Sequence, residues 1–232
     1  IQAALKQAID DGLTLGAPNI YEHDLAAAII ARFPSMARLR FCNSGTEANL
    51  LCLATARAIT GKPAAMIFDG AYHGSLLYFS HGGSPLNMPI PVIESRYNDI
   101  EKATADIAAN ATKLAAVILE PMQGGAGAIA GDPAFLKAVR EACTRHGVLL
   151  VFDEVMTSRL SPGGLQGKHG ITPDLTSLGK YVGGGMTIGA FGGLADIMDR
   201  VDKSRPDAFP HGGTFNNSVL AMAAGHAGFT KV

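Results

Sequence analysis

Lys180 and Asp153 are the two residues whose types and places could do chemistry together. Gly147–Ser158, GVLLVFDEVMTS, reads as a buried strand that ends on two acids, Asp153 and Glu154. Asp174–Met186, DLTSLGKYVGGGM, reads as another short apolar strand, and it ends on Lys180. A lysine and an acid at the exits of two buried strands suit one cofactor, pyridoxal 5'-phosphate. The amine forms a Schiff base with the aldehyde. The carboxylate keeps the ring nitrogen protonated, so the ring can accept electrons from a substrate carbanion. Charged residues also end strands simply because strands end at the surface. The pair therefore gains weight only from the elements around it.

Three stretches supply such elements. In Leu39–Gly61, LRFC is a short apolar strand, NSGTE a polar turn, and ANLLCLATARAI has helical spacing. Strand, tight turn and helix start make an anion site, because free N–H groups and the positive end of the helix dipole converge there. Ser44, Gly45 and Thr46 would supply amides and hydroxyls to a phosphate. Ser44 with Glu47 three residues on also reads as a capping box, and the two readings are compatible. In Ala64–Ser75, an apolar strand leads to Tyr72 and His73 in a Gly-containing turn. The tyrosine could stack on a flat ring, and His73 reads as a surface or turn residue. In Ala115–Gly127, a strand ends in Glu120, Pro121 and Gln123. Gln123 could donate to a phenolic oxygen, or be an ordinary polar loop residue.

The stretches SGTEA, YHG, EPMQG, FDEVMTS, LGKYVGGG and HGGTFNN stand in the order and spacing of the class III (subgroup II) aminotransferases. The chain resembles that family from about residue 20 to its end. The resemblance implies an α/β fold of fold type I: a large domain with a mainly parallel seven-stranded sheet between helices. It implies pyridoxal 5'-phosphate bound through Lys180, with Asp153 on the pyridine nitrogen and Ser44, Gly45 and Thr46 at the phosphate. Tyr72 would cover one ring face. Val155, two residues beyond Asp153 and on the same side of an extended strand, would cover the other. Gln123 would face the phenolic oxygen. Thr214 would reach the phosphate of the second subunit in a homodimer with shared sites.

Two subfamilies are similar: the β-amino-acid (β-phenylalanine type) aminotransferases and glutamate-1-semialdehyde 2,1-aminomutase. The aminomutases place an Asn two residues after the Gln123 position, where this chain has Gly125. The expected activity is therefore transfer of an amino group between a β-amino acid and a 2-oxo acid, with the aminomutase as the alternative. A catalytically incomplete fragment is an alternative of another class. Residues 1–40 read as a helical lead into a cofactor-binding large domain, 41–232, and the family's C-terminal small domain is expected to be missing.

The composition fits this reading. The 232 residues are 47% hydrophobic and 17% charged, ordinary for a globular domain with a sizeable core. A net charge of −1 gives no electrostatic case for nucleic acid or an anionic membrane. No apolar run approaches the roughly 20 residues of a spanning helix. The opening residues read as a helix rather than a signal peptide. Cys42, Cys52 and Cys143 are odd in number, lack metal-ligand spacing, and read as buried thiols in a reducing compartment, which points to the cytoplasm.

The positioning elements follow from periodicity. Helices are expected over 1–12, over LAAAIIARF before Pro34, over 46–60, over NDIEKATADIAAN started by Asn98 or Asp99, over 133–146, and from Ser218 onward. Strands are expected at RFC, AMIF, PVIESRY, AAVILE, LLVFDE, DLTSLG and IGAFGGL, and loops at Thr14–Asp24 and 73–91. This βα alternation argues for a mainly parallel sheet covered on both faces.

Overall fold

A computed structural model describes residues 1–13 and 16–231. In chain order its elements are α1 (Gln2–Asp11), α2 (Ile20–Arg32), β1 (Arg38–Cys42), α3 (Gly45–Thr60), β2 (Ala64–Phe68), β3 (Val92–Ser95), α4 (Ile100–Asn110) and β4 (Leu114–Leu119). They continue with β5 (Met122–Gln123), β6 (Ile129–Ala130), α5 (Pro133–His146), β7 (Leu149–Asp153), α6 (Gly164–His169), β8 (Leu175–Gly179), β9 (Gly189–Gly193), α7 (Ala195–Met198) and α8 (Val219–Phe229).

The main sheet has seven strands in the order β1-β9-β8-β7-β4-β2-β3. Its pairings are parallel from β8 to β3, and β9 runs antiparallel to both of its neighbours. The expected α/β architecture with a mainly parallel seven-stranded sheet is therefore the observed one. Strands β2, β4, β8 and β9 are buried at every residue, as strands covered on both faces must be.

Side-chain alternation sorts the two faces. Ala65, Ile67, Ile118 and Val151 pack with Ala48, Cys52, Leu53 and Ala56 of α3. Met66, Phe68, Val117, Leu150 and Phe152 pack with Ile107 of α4 and Phe135, Leu136 and Val139 of α5. A third cluster joins Leu25 and Ile29 of α2 to Val182, Met222 and Phe229.

Helix ends follow their sequence signals. Asp99 caps α4 by accepting from the Lys102 N–H, Pro133 opens α5, and Gly147 closes it in the left-handed region. One expectation needs correction. Thr14–Asp24 is not loop throughout, because α2 begins at Ile20; Thr14 and Leu15 lie outside the described residues. Asn19 Oδ1 accepts from Glu22 N at 3.0 Å, a cap that starts the helix before its apolar run. Cys42, Cys52 and Cys143 are buried thiols, and burial pushes Cys42 and Cys143 up to about 12.

Candidate active site

The C-terminal ends of β1, β2, β4, β7 and β8 meet around one cavity of about 400 Å³. Its lining includes Gly45, Thr46, Asn49, Tyr72, His73, Glu120, Asp153, Val155, Met156 and Lys180. Parallel α/β sheets place ligands in this position, because the loops after the strands all open on that edge.

Asp153, the last residue of β7, is 4% exposed and held by donors on both oxygens. Oδ2 accepts from Asn49 Nδ2 at 2.7 Å and from His73 Nδ1 at 2.9 Å. Oδ1 accepts from the Val155 N–H at 3.0 Å. The Ser177 hydroxyl donates to Asn49 Oδ1, which fixes the orientation of the amide. A carboxylate offers about four lone-pair positions. Ser177 Oγ also lies 3.5 Å from Oδ1, but its single hydrogen goes to the nearer Asn49 Oδ1, so an acceptor position remains on Oδ1 of this buried carboxylate, which lines the cavity.

Lys180 follows β8 directly and is exposed at the cavity wall. Its φ is +52°, the left-handed region that non-glycine residues seldom enter. The backbone must turn sharply there, because the chain passes from β8 straight into a 3-10 turn at Lys180–Gly183.

Across the cavity lies the start of α3. Gly45 and Thr46 line the cavity with first-turn N–H groups that have no partner within the helix. Ser44 takes the capping role: its hydroxyl accepts from the Glu47 N–H at 3.1 Å, and Glu47 in turn accepts from the Asn43 N–H at 2.7 Å. Glycine is needed at 45, since a Cβ there would sit 2.7 Å from Val155 Cγ1.

Val155 does reach the cavity, but not along an extended strand. The strand β7 stops at Asp153, and the Asp153 Oδ1 bond to the Val155 N–H bends the chain as an Asx-turn. Tyr72 is 47% exposed at the rim.

Gln123 is placed elsewhere. It lies in β5, which pairs antiparallel with β6, and its Nε2 donates to Asp69 O at 2.6 Å, so it does not line the cavity. The wall beside it belongs to Glu120, whose oxygens accept from the N–H groups of Tyr72 and Gly124 at 3.1 Å each. Burial is the main cause that raises the Glu120 carboxyl above its ordinary value. Thr214 also stands apart. It lines a second cavity of about 500 Å³ with Arg40, Lys203 and Asn216.

Sequence reasoning therefore gathered Lys180, Asp153, Gly45, Thr46, Tyr72 and Val155 at one cavity. It missed Asn49, His73, Ser177 and Glu120. His73 had been read as a surface or turn residue and is instead 2% exposed against Asp153.

The residues fit pyridoxal 5'-phosphate. The α3 N-terminus suits a phosphate, the free position on Asp153 suits a pyridine N–H, and the Lys180 amine opens on the same cavity. Glycines at 45 and 74 keep it clear; a Cβ at Gly74 would sit 2.2 Å from Thr46 Oγ1.

A family model described as aminotransferase class-III matches residues 1–232. The chain is 50% identical over 232 residues to the β-phenylalanine transaminase of Variovorax paradoxus, covering all of this chain and 53% of that protein. The crystal structure of the β-phenylalanine aminotransferase from that organism superposes with a TM-score of 0.97 at 49% identity, over 100% of this chain and 54% of that one. Glutamate-1-semialdehyde 2,1-aminomutase of Opitutus terrae is 43% identical, over 98% of this chain and 56% of its own length. A structure described as a transaminase with PLP bound matches with a TM-score of 0.93 at 29% identity, over 100% of this chain and 58% of that one. The chain thus spans about half the length of the relatives it matches.

Proposed function

Because this chain belongs to the class-III aminotransferase family, we propose that it is the cofactor-binding part of a pyridoxal 5'-phosphate-dependent aminotransferase. Its reaction is transfer of an amino group between a β-amino acid and a 2-oxo acid. The observation that carries this reading is Asp153 and Lys180 on one cavity, the carboxylate with an acceptor position to spare and the amine exposed. The β-amino-acid class is supported by the 50% identity to a β-phenylalanine transaminase, and by Gly125 where the aminomutases have Asn.

When bound, the cofactor supplies an electron sink for a carbanion. The chain supplies the rest. The Gly45 and Thr46 N–H groups at the head of α3 hold the phosphate. Asp153 would accept from the pyridine N–H at its spare position and keep that proton in place. Asn49 and His73 anchor Oδ2, so the carboxylate cannot rotate away. Tyr72 and Val155 flank the ring and exclude water from its faces. Lys180 Nζ would hold the cofactor through its aldehyde, and as a free amine at the cavity wall it would serve as the base for the proton on the amine-bearing carbon of the substrate.

Thr214, exposed and absent from the lining of its own chain's cavity, serves the phosphate of a second copy in a homodimer. The working compartment is the cytoplasm; three free buried thiols suit it, and no helix among the described residues is long and apolar enough to cross a membrane.

A paired assay tests the reading. The intact protein should convert a β-amino acid with a 2-oxo acid acceptor and leave glutamate-1-semialdehyde unreacted. The reverse preference would establish the aminomutase. No turnover of either, together with no visible cofactor absorbance, would mark an incomplete site.

A further inference from the structure

The segment that carries Thr214 is open in the middle and tied at both ends. Gly212, Gly213, Thr214 and Phe215 are all exposed. On the C-terminal side, Asn216 Oδ1 accepts from Asn43 Nδ2 at 2.9 Å, and Asn217 Nδ2 donates to Glu22 Oε2 at 2.9 Å and to Ala17 O at 3.1 Å. On the N-terminal side, Phe209 packs on the core and beside Arg200, and His211 is the last tie before the glycines.

His211 is 9% exposed. Its Nδ1 lies 3.2 Å from Arg40 Nε, and its carbonyl oxygen accepts from Arg40 Nη2 at 3.4 Å. Its ring stands edge-to-face with Phe191, with centroids 5.3 Å apart and planes at 79°. Arg40 belongs to β1 and Phe191 to the buried strand β9, so His211 pins the segment to two adjacent strands of the sheet.

This contact fixes the state of the imidazole. The Nε of arginine carries a hydrogen and can only donate. Nδ1 must therefore present its lone pair, which puts the proton of a neutral imidazole on Nε2. A protonated ring would set donor against donor and a second positive charge beside Arg40. The charged groups facing His211 are Arg40 from β1, Lys203 from the segment after α7, and Glu47 from α3. Burial is the largest influence on the imidazole; Arg40 and Lys203 act with it and Glu47 against it, and the outcome is a value below the ordinary 6.5.

We propose that His211 is the positioning residue of the Thr214 segment: its neutral ring, held by Arg40 and Phe191, fixes the posture in which Thr214 meets the second copy's cofactor phosphate, and protonation releases that posture. The proposal rests on the reading of Thr214 given above. Its sign is fixed. A histidine with a lowered folded value takes up its proton first in the unfolded or released state. Anchoring is thus complete above 6.5 and is lost as pH falls below it.

The test is a titration of the intact apoprotein with pyridoxal 5'-phosphate between about pH 5.5 and 8. Wild type is compared with Thr214→Ala, His211→Ala, His211→Gln and the double alanine variant. Each is also followed by hydrogen exchange of the amides of residues 212–215.

His211→Ala should weaken binding about three- to tenfold at pH 8 and raise exchange in the segment. The wild-type advantage over Thr214→Ala should shrink on acidification. His211→Gln, whose amide oxygen accepts from Arg40 and does not titrate, should keep that advantage and keep the segment protected. In the double variant His211→Ala should add nothing to Thr214→Ala.

The proposal is overturned if His211→Ala leaves both affinity and exchange unchanged. It is equally overturned if His211→Ala weakens binding as much in the Thr214→Ala background as in wild type, since that is general damage. If Thr214→Ala binds as wild type while the protection of the segment, taken relative to the intrinsic exchange rate at each pH, still falls on acidification in wild type and not in His211→Gln, the anchoring by His211 stands and the role of Thr214 has failed.

Discussion

Lys180 holds a strained backbone, and removing its side chain in two ways should expose that strain. Its φ of +52° places an L-residue in the left-handed region, which costs roughly 1–2 kcal/mol. Lys180→Ala removes the amine and keeps the strain. Lys180→Gly removes both, but glycine adds backbone freedom to the unfolded chain and so gives back about 0.4–1 kcal/mol. At the middle of these ranges the glycine variant should therefore be more stable than the alanine variant by about 0.8 kcal/mol. Lys180→Asn should fall between them, because Asn tolerates this region.

All three variants lack the amine, so the covalent bond to the cofactor cannot confuse the comparison. The assay is urea unfolding of the apoprotein with the slope held common, supported by thermal unfolding. For a chain of this size, 1 kcal/mol corresponds to about 2–4 °C. An alanine variant as stable as the glycine variant would refute the reasoning. It would mean that the turn after β8 relaxes once the lysine is gone.

Four further outcomes are expected. Gly184→Ala should be among the most destabilising single changes near the site, by more than about 2 kcal/mol in urea unfolding, because φ there is +59° and a Cβ would meet Ala224 O at 2.1 Å. Asn49→Ala should cost about 1–3 kcal/mol, since it strips one donor from the buried Asp153 and leaves the Ser177 hydroxyl only the longer contact to Asp153 Oδ1. Asp153→Asn should lower the rate of amino transfer at least about 10²-fold in steady-state kinetics while the fold persists. Burial raises the folded value of Glu120, so its folded state binds a proton more readily than its unfolded state; stability from this group is full below 4.5 and lost as pH rises through the folded value, and Glu120→Gln should flatten that slope in unfolding followed against pH.

Much of this architecture was legible in the sequence for local reasons. The runs LLVF and AAVIL are apolar at every position, LTSLG carries only small hydroxyls among its apolar residues, and each run is followed by a charged residue, so buried parallel strands were the economical reading. Lys180 and Asp153 were found because each ends such a run. What stayed hidden depends on residues brought together by packing. Asn49 sits inside α3 and Ser177 inside β8, 104 and 24 residues from Asp153, and neither carries a local mark of its contact. His73 follows an exposed tyrosine in a turn, so nothing nearby foretold its burial.

Gln123 was assigned to the cofactor by family resemblance, but the short β5–β6 pairing turns its amide to the Asp69 carbonyl. The Asn19 cap was the one local signal passed over: Asn followed three residues later by Glu22 is a helix start.

The central claim is that Lys180 is the residue that binds the cofactor. Its most direct test is reduction of the cofactor-loaded protein with borohydride, followed by digestion and mapping of the pyridoxyl-labelled peptide. The label should fall on Lys180, within the segment LTSLGKYVGGG, and be absent from Lys180→Ala. A label on any other lysine, or equal labelling of Lys180→Ala, would contradict the account.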